Sequence, residues 1–121
     1  MNAAQSVKYL QLCHAYGEAK IASNTAWRKA EMFRSLWGQA KDEPRYKERE
    51  AGVDPAEVES VREATAPFVA QFESEFRACM QLEIDKDAES KKIAAEIAAF
   101  CKEMEDAGIY VPGASGWHLL A

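Results

Sequence analysis

Few side chains in this sequence have the chemistry to take part in a reaction. The two histidines are His14 and His118. His14 stands one helical turn before Glu18, a spacing that lets two ligands on one helix face begin a metal site. A di-iron site in a helical bundle, however, draws on several inward glutamates and on Glu-x-x-His repeats, and the chain contains no such repeat. Cys13 directly precedes His14, but consecutive helical residues point about 100° apart, so the two do not form a nucleophile and its base. His118 follows Trp117 and reads as a contact or solvent-facing residue. Paired-cysteine motifs, phosphate-cradling glycine loops and nucleophile elbows are missing from the sequence. The residue types therefore predict no metal, no cofactor and no enzymatic activity.

The element that positions everything else is an apolar rhythm near the N-terminus. Tyr9, Leu12, Tyr16, Ala19, Ser23, Ala26, Ala30, Phe33 and Trp37 are separated by alternating steps of three and four, which keeps one helix face turned to a partner. The strip is large at its ends and small in its middle, so a facing helix can approach closely at Ala19, Ser23, Ala26 and Ala30. Val7, Leu10, His14, Gly17 and Ile21 form a second strip on a neighbouring face, which favours a bundle over a bare two-stranded seam. Asn2 or Ser6 can cap this helix, expected over about residues 3–40.

Residues 41–54 carry dense charge together with Pro44 and Gly52, and read as a loop. Asp54-Pro55-Ala56-Glu57 then signals a helix start: an acceptor at the cap, proline at the first helical position and a glutamate to close a capping box. The second helix, about 55–84, follows Val58, Val61, Thr65, Phe68, Phe72, Phe76 and Cys79, with a kink expected near Pro67. From Glu83 to Asp87 the chain is too polar for an apolar seam, so a break is expected there. A third helix, about 87–107, presents Ile93, Ile97, Phe100 and Met104, and Gly108 followed by Ile109 fits a left-handed cap. The tail, 108–121, is irregular but apolar enough to dock. The expected fold is all-α: an antiparallel bundle of three helices with an irregular docked tail, in one domain.

Charge and composition narrow the function. Of the 121 residues, 1–53 hold nine Lys or Arg against six Asp or Glu and 54–121 hold six against fourteen, which accounts for the net charge of −5. Neither a run of about 18 apolar residues nor a signal-peptide pattern is present, so the expectation is a cytoplasmic protein away from membranes. The odd cysteine count, Cys13, Cys79 and Cys101, argues for reduced thiols, with a Cys79–Cys101 bridge as the one pairing left open.

The leading functional expectation is a non-enzymatic interaction module, an acidic helical adaptor or inhibitor that occludes a surface of another protein. By association with other small helical chains, a phage or mobile-element antagonist of a nucleic-acid-handling complex is one such role. Its partner would present a basic surface to Glu73, Glu75, Glu83, Asp85, Asp87 and Glu89, with tail contacts from Tyr110, Trp117, Leu119 and Leu120, and the chain would form a homodimer. One alternative is a small-ligand or nucleotide site between protomers, lined by Tyr16, Trp27, Arg28 and the tail aromatics. Another is weak nucleic-acid binding through Lys20, Trp27, Arg28, Lys29 and Arg34, extended by Lys41, Arg45, Lys47 and Arg49. Direct nucleic-acid binding is disfavoured by the interleaved carboxylates and a pI of about 5.1.

Overall fold

The computed structural model describes residues 1–120, excluding the side chains of Ser115, His118 and Leu119. Its elements are α1 (Ala3–Glu48), α2 (Pro55–Asp106) and a short 3-10 helix, η1 (Ala114–Leu119). The all-helical expectation holds among the described residues, but the three-helix bundle does not: the expected second and third helices are one continuous α2. Among the described residues no helix is long and apolar enough to cross a membrane.

The reason for the single helix lies in its phase. Val58, Thr65, Phe72, Cys79, Lys86, Ile93 and Phe100 are seven residues apart, interleaved with Val69, Phe76, Glu83, Ser90, Ile97 and Met104, and every one is buried or half-buried. Glu83, Lys86 and Ser90 keep the seam positions through the polar stretch, where a search for apolar residues alone sees a gap. A partly polar layer is tolerated because its groups have partners. The Ser23 hydroxyl donates to the carbonyl oxygen of Glu83 at 3.5 Å, and the Ser90 hydroxyl to that of Asp87 at 2.8 Å. Lys86 pairs with Glu89, and Lys91 and Lys20 both pair with Asp87. Nothing between Glu83 and Ser90 is a proline or glycine, so no backbone feature forces a break.

The expected loop at 41–54 is likewise shorter. α1 continues to Glu48 because Ala40 and Pro44 extend the three-and-four spacing and both are buried. An interior proline costs about 3 kcal/mol, and burial at a seam position offsets it. Ion pairs Arg45–Asp42, Lys47–Glu50 and Lys47–Glu57 hold the last turn and the connection. The turn is completed at Gly52, whose φ of 69° is one that side chains with a Cβ rarely adopt. At Pro67, α2 runs through without a break. The lost ladder bond belongs to the carbonyl of Glu63, an exposed residue on the solvent side of the helix.

The caps follow local chemistry. Asn2 Oδ1 accepts from the Gln5 amide and Gln5 Oε1 from the Asn2 amide, a reciprocal box. Asp54 Oδ1 accepts from the Ala56 amide, but Glu57 pairs with Lys47 instead of closing the expected box. α2 ends at Asp106 and the chain turns at Gly108, φ 73°, with the Ile109 amide donating to the Met104 carbonyl at 2.8 Å.

The chain forms two compact units, one of residues 1–24 with 83–121 and one of residues 25–82. In the first, α1 and α2 run antiparallel and the tail packs on both. Ile97, Phe100, Cys101, Met104 and Val111 form its core, with Tyr9, Leu12, Tyr16, Ile109 and Trp117 packed around them. In the second, the pair is again antiparallel and is held by Phe33 stacked on Phe72 and Trp37 on Phe76, over buried Ala26, Ala30 and Val58.

Ser90 has no exposed surface, and this close fit is testable by urea unfolding. Ser90→Ala loses one local hydrogen bond and costs about 1 kcal/mol or less. Ser90→Leu must push the seam apart and costs about 1–3 kcal/mol. Equal stability of the two variants would contradict the tight seam.

Candidate interaction surfaces

The residues singled out from the sequence do not gather into one site. Among the six carboxylates, Glu73 and Glu75 belong to the second unit and Glu83, Asp85, Asp87 and Glu89 to the first. At about 100° per residue, alternate residues along a helix face in widely different directions, so these odd-numbered positions do not share one face. Several are already occupied: Glu73 pairs with Arg77, Glu89 with Lys86, and Asp87 with Lys91 and Lys20. Hydrogen bonding to Lys91 holds the Asp87 carboxyl below the usual aspartate range, and the charge of Lys20 adds to the effect.

The basic set is similarly dispersed. Lys20 is engaged with Asp87 and Arg34 with Glu31. Trp27, Arg28 and Lys29 are exposed but are consecutive, so they turn successively around α1. Tyr16 and Trp27, offered as joint lining of a ligand site, belong to different units. His14 lies on the surface with its Nε2 3.6 Å from Glu18, whereas neighbouring Cys13 packs against the core. Among the described residues no group of three His, Cys, Asp or Glu side chains is placed to hold a metal ion. All three cysteines are free, and burial raises the Cys101 thiol above its usual pKa.

The tail residues divide. Trp117 is docked: its indole meets the Tyr16 ring edge-on at 5.1 Å, and its Nε1 donates to the Tyr9 hydroxyl at 3.1 Å. That hydroxyl in turn donates to the Pro112 carbonyl oxygen at 3.2 Å. Tyr9 thus clamps two points of the tail, and burial raises its pKa. Tyr110 and Leu120 are exposed, while the Leu119 side chain lies outside the described residues. Beside the tail, Ala98, Lys102, Ile109, Tyr110 and Val111 border an open groove of about 820 Å³.

Two further surfaces emerge from the geometry. In the second unit, Ala40, Pro44, Ala66, Val69 and Ala70 floor an open groove of about 500 Å³ between α1 and α2, rimmed by Lys41, Arg45 and Arg62 with Glu73 at one end. Lys41 also lies 4.0 Å over the Trp37 ring, whose buried indole N–H has no acceptor. Sequence reading missed this groove because it needs helical residues 40–48; the signal was the buried-strip spacing continuing through Ala40 to Pro44. In the first unit, Val7, Leu10 and Ile21 of the second α1 strip are exposed.

No protein-family model matches the chain, and neither a curated protein nor a solved structure is detectably similar to it.

The Tyr9 clamp predicts that Tyr9→Phe frees the Pro112 carbonyl and the Trp117 indole together. Stability should fall by about 1–3 kcal/mol for the two hydrogen bonds, and the Trp117 indole proton should exchange faster by NMR. An unchanged exchange rate would show that packing, including the edge-on contact with Tyr16, holds the tail without the Tyr9 hydroxyl.

Proposed function

We propose that the chain is a non-enzymatic protein–protein interaction module, a small helical adaptor or inhibitor that works by occupying a partner's surface. The observation that carries this reading is the groove of the second unit. Two antiparallel helices leave a furrow along each flank, and a third amphipathic helix is the shape that fills it. In the first unit, one such flank is covered by the chain's own tail. In the second, the floor is apolar and open.

The rim selects the occupant. Lys41, Arg45, Arg62 and Glu73 line the groove; Glu73 is engaged by Arg77, Arg45 by Asp42 and Arg62 by Glu59 and Glu48, which leaves Lys41 as the lining charge that is held over a ring rather than beside a carboxylate. Through Lys41, the apolar groove favours a segment with an apolar face flanked by acidic residues. This differs from the basic-surfaced partner expected from the acidic half, whose carboxylates are scattered and largely paired. The buried N–H of Trp37 and the ring contact from Lys41 are nearby features of the same unit.

The test uses a labelled helical peptide with leucines along one face and glutamates beside them, followed by fluorescence anisotropy. Saturable binding that weakens with added salt is expected. Lys41→Glu should lower affinity several-fold, with helicity by circular dichroism unchanged because the side chain is on the surface. Absence of binding at low salt, or equal binding of a lysine-flanked version of the peptide, would overturn the reading.

A further inference from the structure

Each long helix carries one proline inside it, Pro44 in α1 and Pro67 in α2. Proline has no N–H, so each removes the ladder bond to the carbonyl oxygen four residues before it. For Pro67 that oxygen belongs to Glu63, an exposed residue. For Pro44 it belongs to Ala40, which is 7 % exposed, and Ala40 and Pro44 both line the groove of the second unit. The two prolines therefore leave their acceptors in opposite surroundings, one beside water and one in an apolar furrow.

A carbonyl oxygen shut away from water and deprived of its donor costs stability until another donor reaches it. The polar side chains around the groove are engaged elsewhere. The Thr65 hydroxyl donates to the Arg62 carbonyl oxygen at 3.4 Å, Arg45 to Asp42 at 3.4 Å and Arg62 to Glu59 at 2.7 Å. Lys41 is held over the Trp37 ring. A helix lying in the groove keeps its own amides in its own ladder, so any donor it offers the Ala40 oxygen is a side chain. Lys41, next in sequence to Ala40, disfavours a cationic donor. A hydroxyl or a carboxamide is what remains.

We infer that Pro44 is a specificity element of this groove: it frees the Ala40 carbonyl oxygen to accept a hydrogen bond from a hydroxyl or amide side chain set within the apolar face of the docked helix. The inference rests on the helix-docking reading of the groove and adds to it one polar position that a purely leucine-faced segment lacks.

The test compares, on the full chain and by fluorescence anisotropy, two series of the leucine-and-glutamate peptide in which each leucine in turn becomes threonine or valine. Both replacements are β-branched and alike in shape, so the ratio of their affinities reads the hydroxyl. In the wild type, threonine should bind more tightly than valine at one position. In Pro44→Ala the new N–H closes the ladder bond to Ala40, and alanine is the better helix former, so helicity by circular dichroism should be kept. The ratio at that position should then shift toward valine by roughly fivefold. Taking ratios removes whatever the lost proline ring does to both peptides alike. Valine preferred at every position in the wild type, or a ratio unmoved by Pro44→Ala, would overturn the inference while leaving helix docking in place. Failure of every peptide to bind the wild type would overturn both.

Discussion

Everything in this molecule depends on how closely two helices approach where their side chains are smallest. On α1 the positions are Ala19, Ser23, Ala26 and Ala30, all buried, and on α2 Ser90 and Ala94 have no exposed surface. Small residues bury little apolar area each, so their contribution to the hydrophobic term is modest. Their effect is geometric: they bring backbones near enough for the Ser23 hydroxyl to reach the carbonyl oxygen of Glu83. The larger residues act elsewhere within each unit. Tyr9 stacks with Phe100 in the first unit, and Phe33 and Trp37 with Phe72 and Phe76 in the second.

A close pair of helices has a consequence for what it leaves uncovered. Each helix in a two-stranded seam hides roughly one stripe, and apolar residues beyond that stripe must find another cover or remain in water. The first unit covers one flank with Ile109, Val111 and Trp117, fixed by Tyr9. Its outer α1 strip and the groove of the second unit have no such cover. The binding role proposed for the chain therefore grows from the same feature that gives the fold: two helices where the apolar content would suit three.

The long α1, its Asn2 cap, the start of α2 at Pro55 and the Gly108 stop were legible because each is written in local chemistry. The small middle of the α1 strip was equally legible as a site of close approach. Two boundaries were not. Glu83, Lys86 and Ser90 look like a break to an eye that follows apolar residues, but their register is that of the seam, and their polar atoms are met by Ser23, by Glu89 and by local backbone. Pro44 looks like a terminator, but its position four residues after Ala40 buries it in the seam. In both cases tertiary packing overrode a local signal. The groove at Lys41, Arg45 and Arg62 stayed hidden because it exists only once those boundaries are set, and no residue type within it announces a site. The acidic set was drawn from charge alone, and counting charges gives their number without their directions around the helix.

The central claim is that α2 passes through residues 83–90 as uninterrupted helix in register with α1. NMR backbone chemical shifts and amide exchange over residues 80–93 test it most directly. The account predicts helical Cα shifts at every residue from Glu83 to Ser90, with the amide protons near Ser90 among the slower to exchange. Non-helical shifts at Lys86 or Asp87, with rapid exchange there and a helix restarting beyond, would contradict it and restore a chain of three helices.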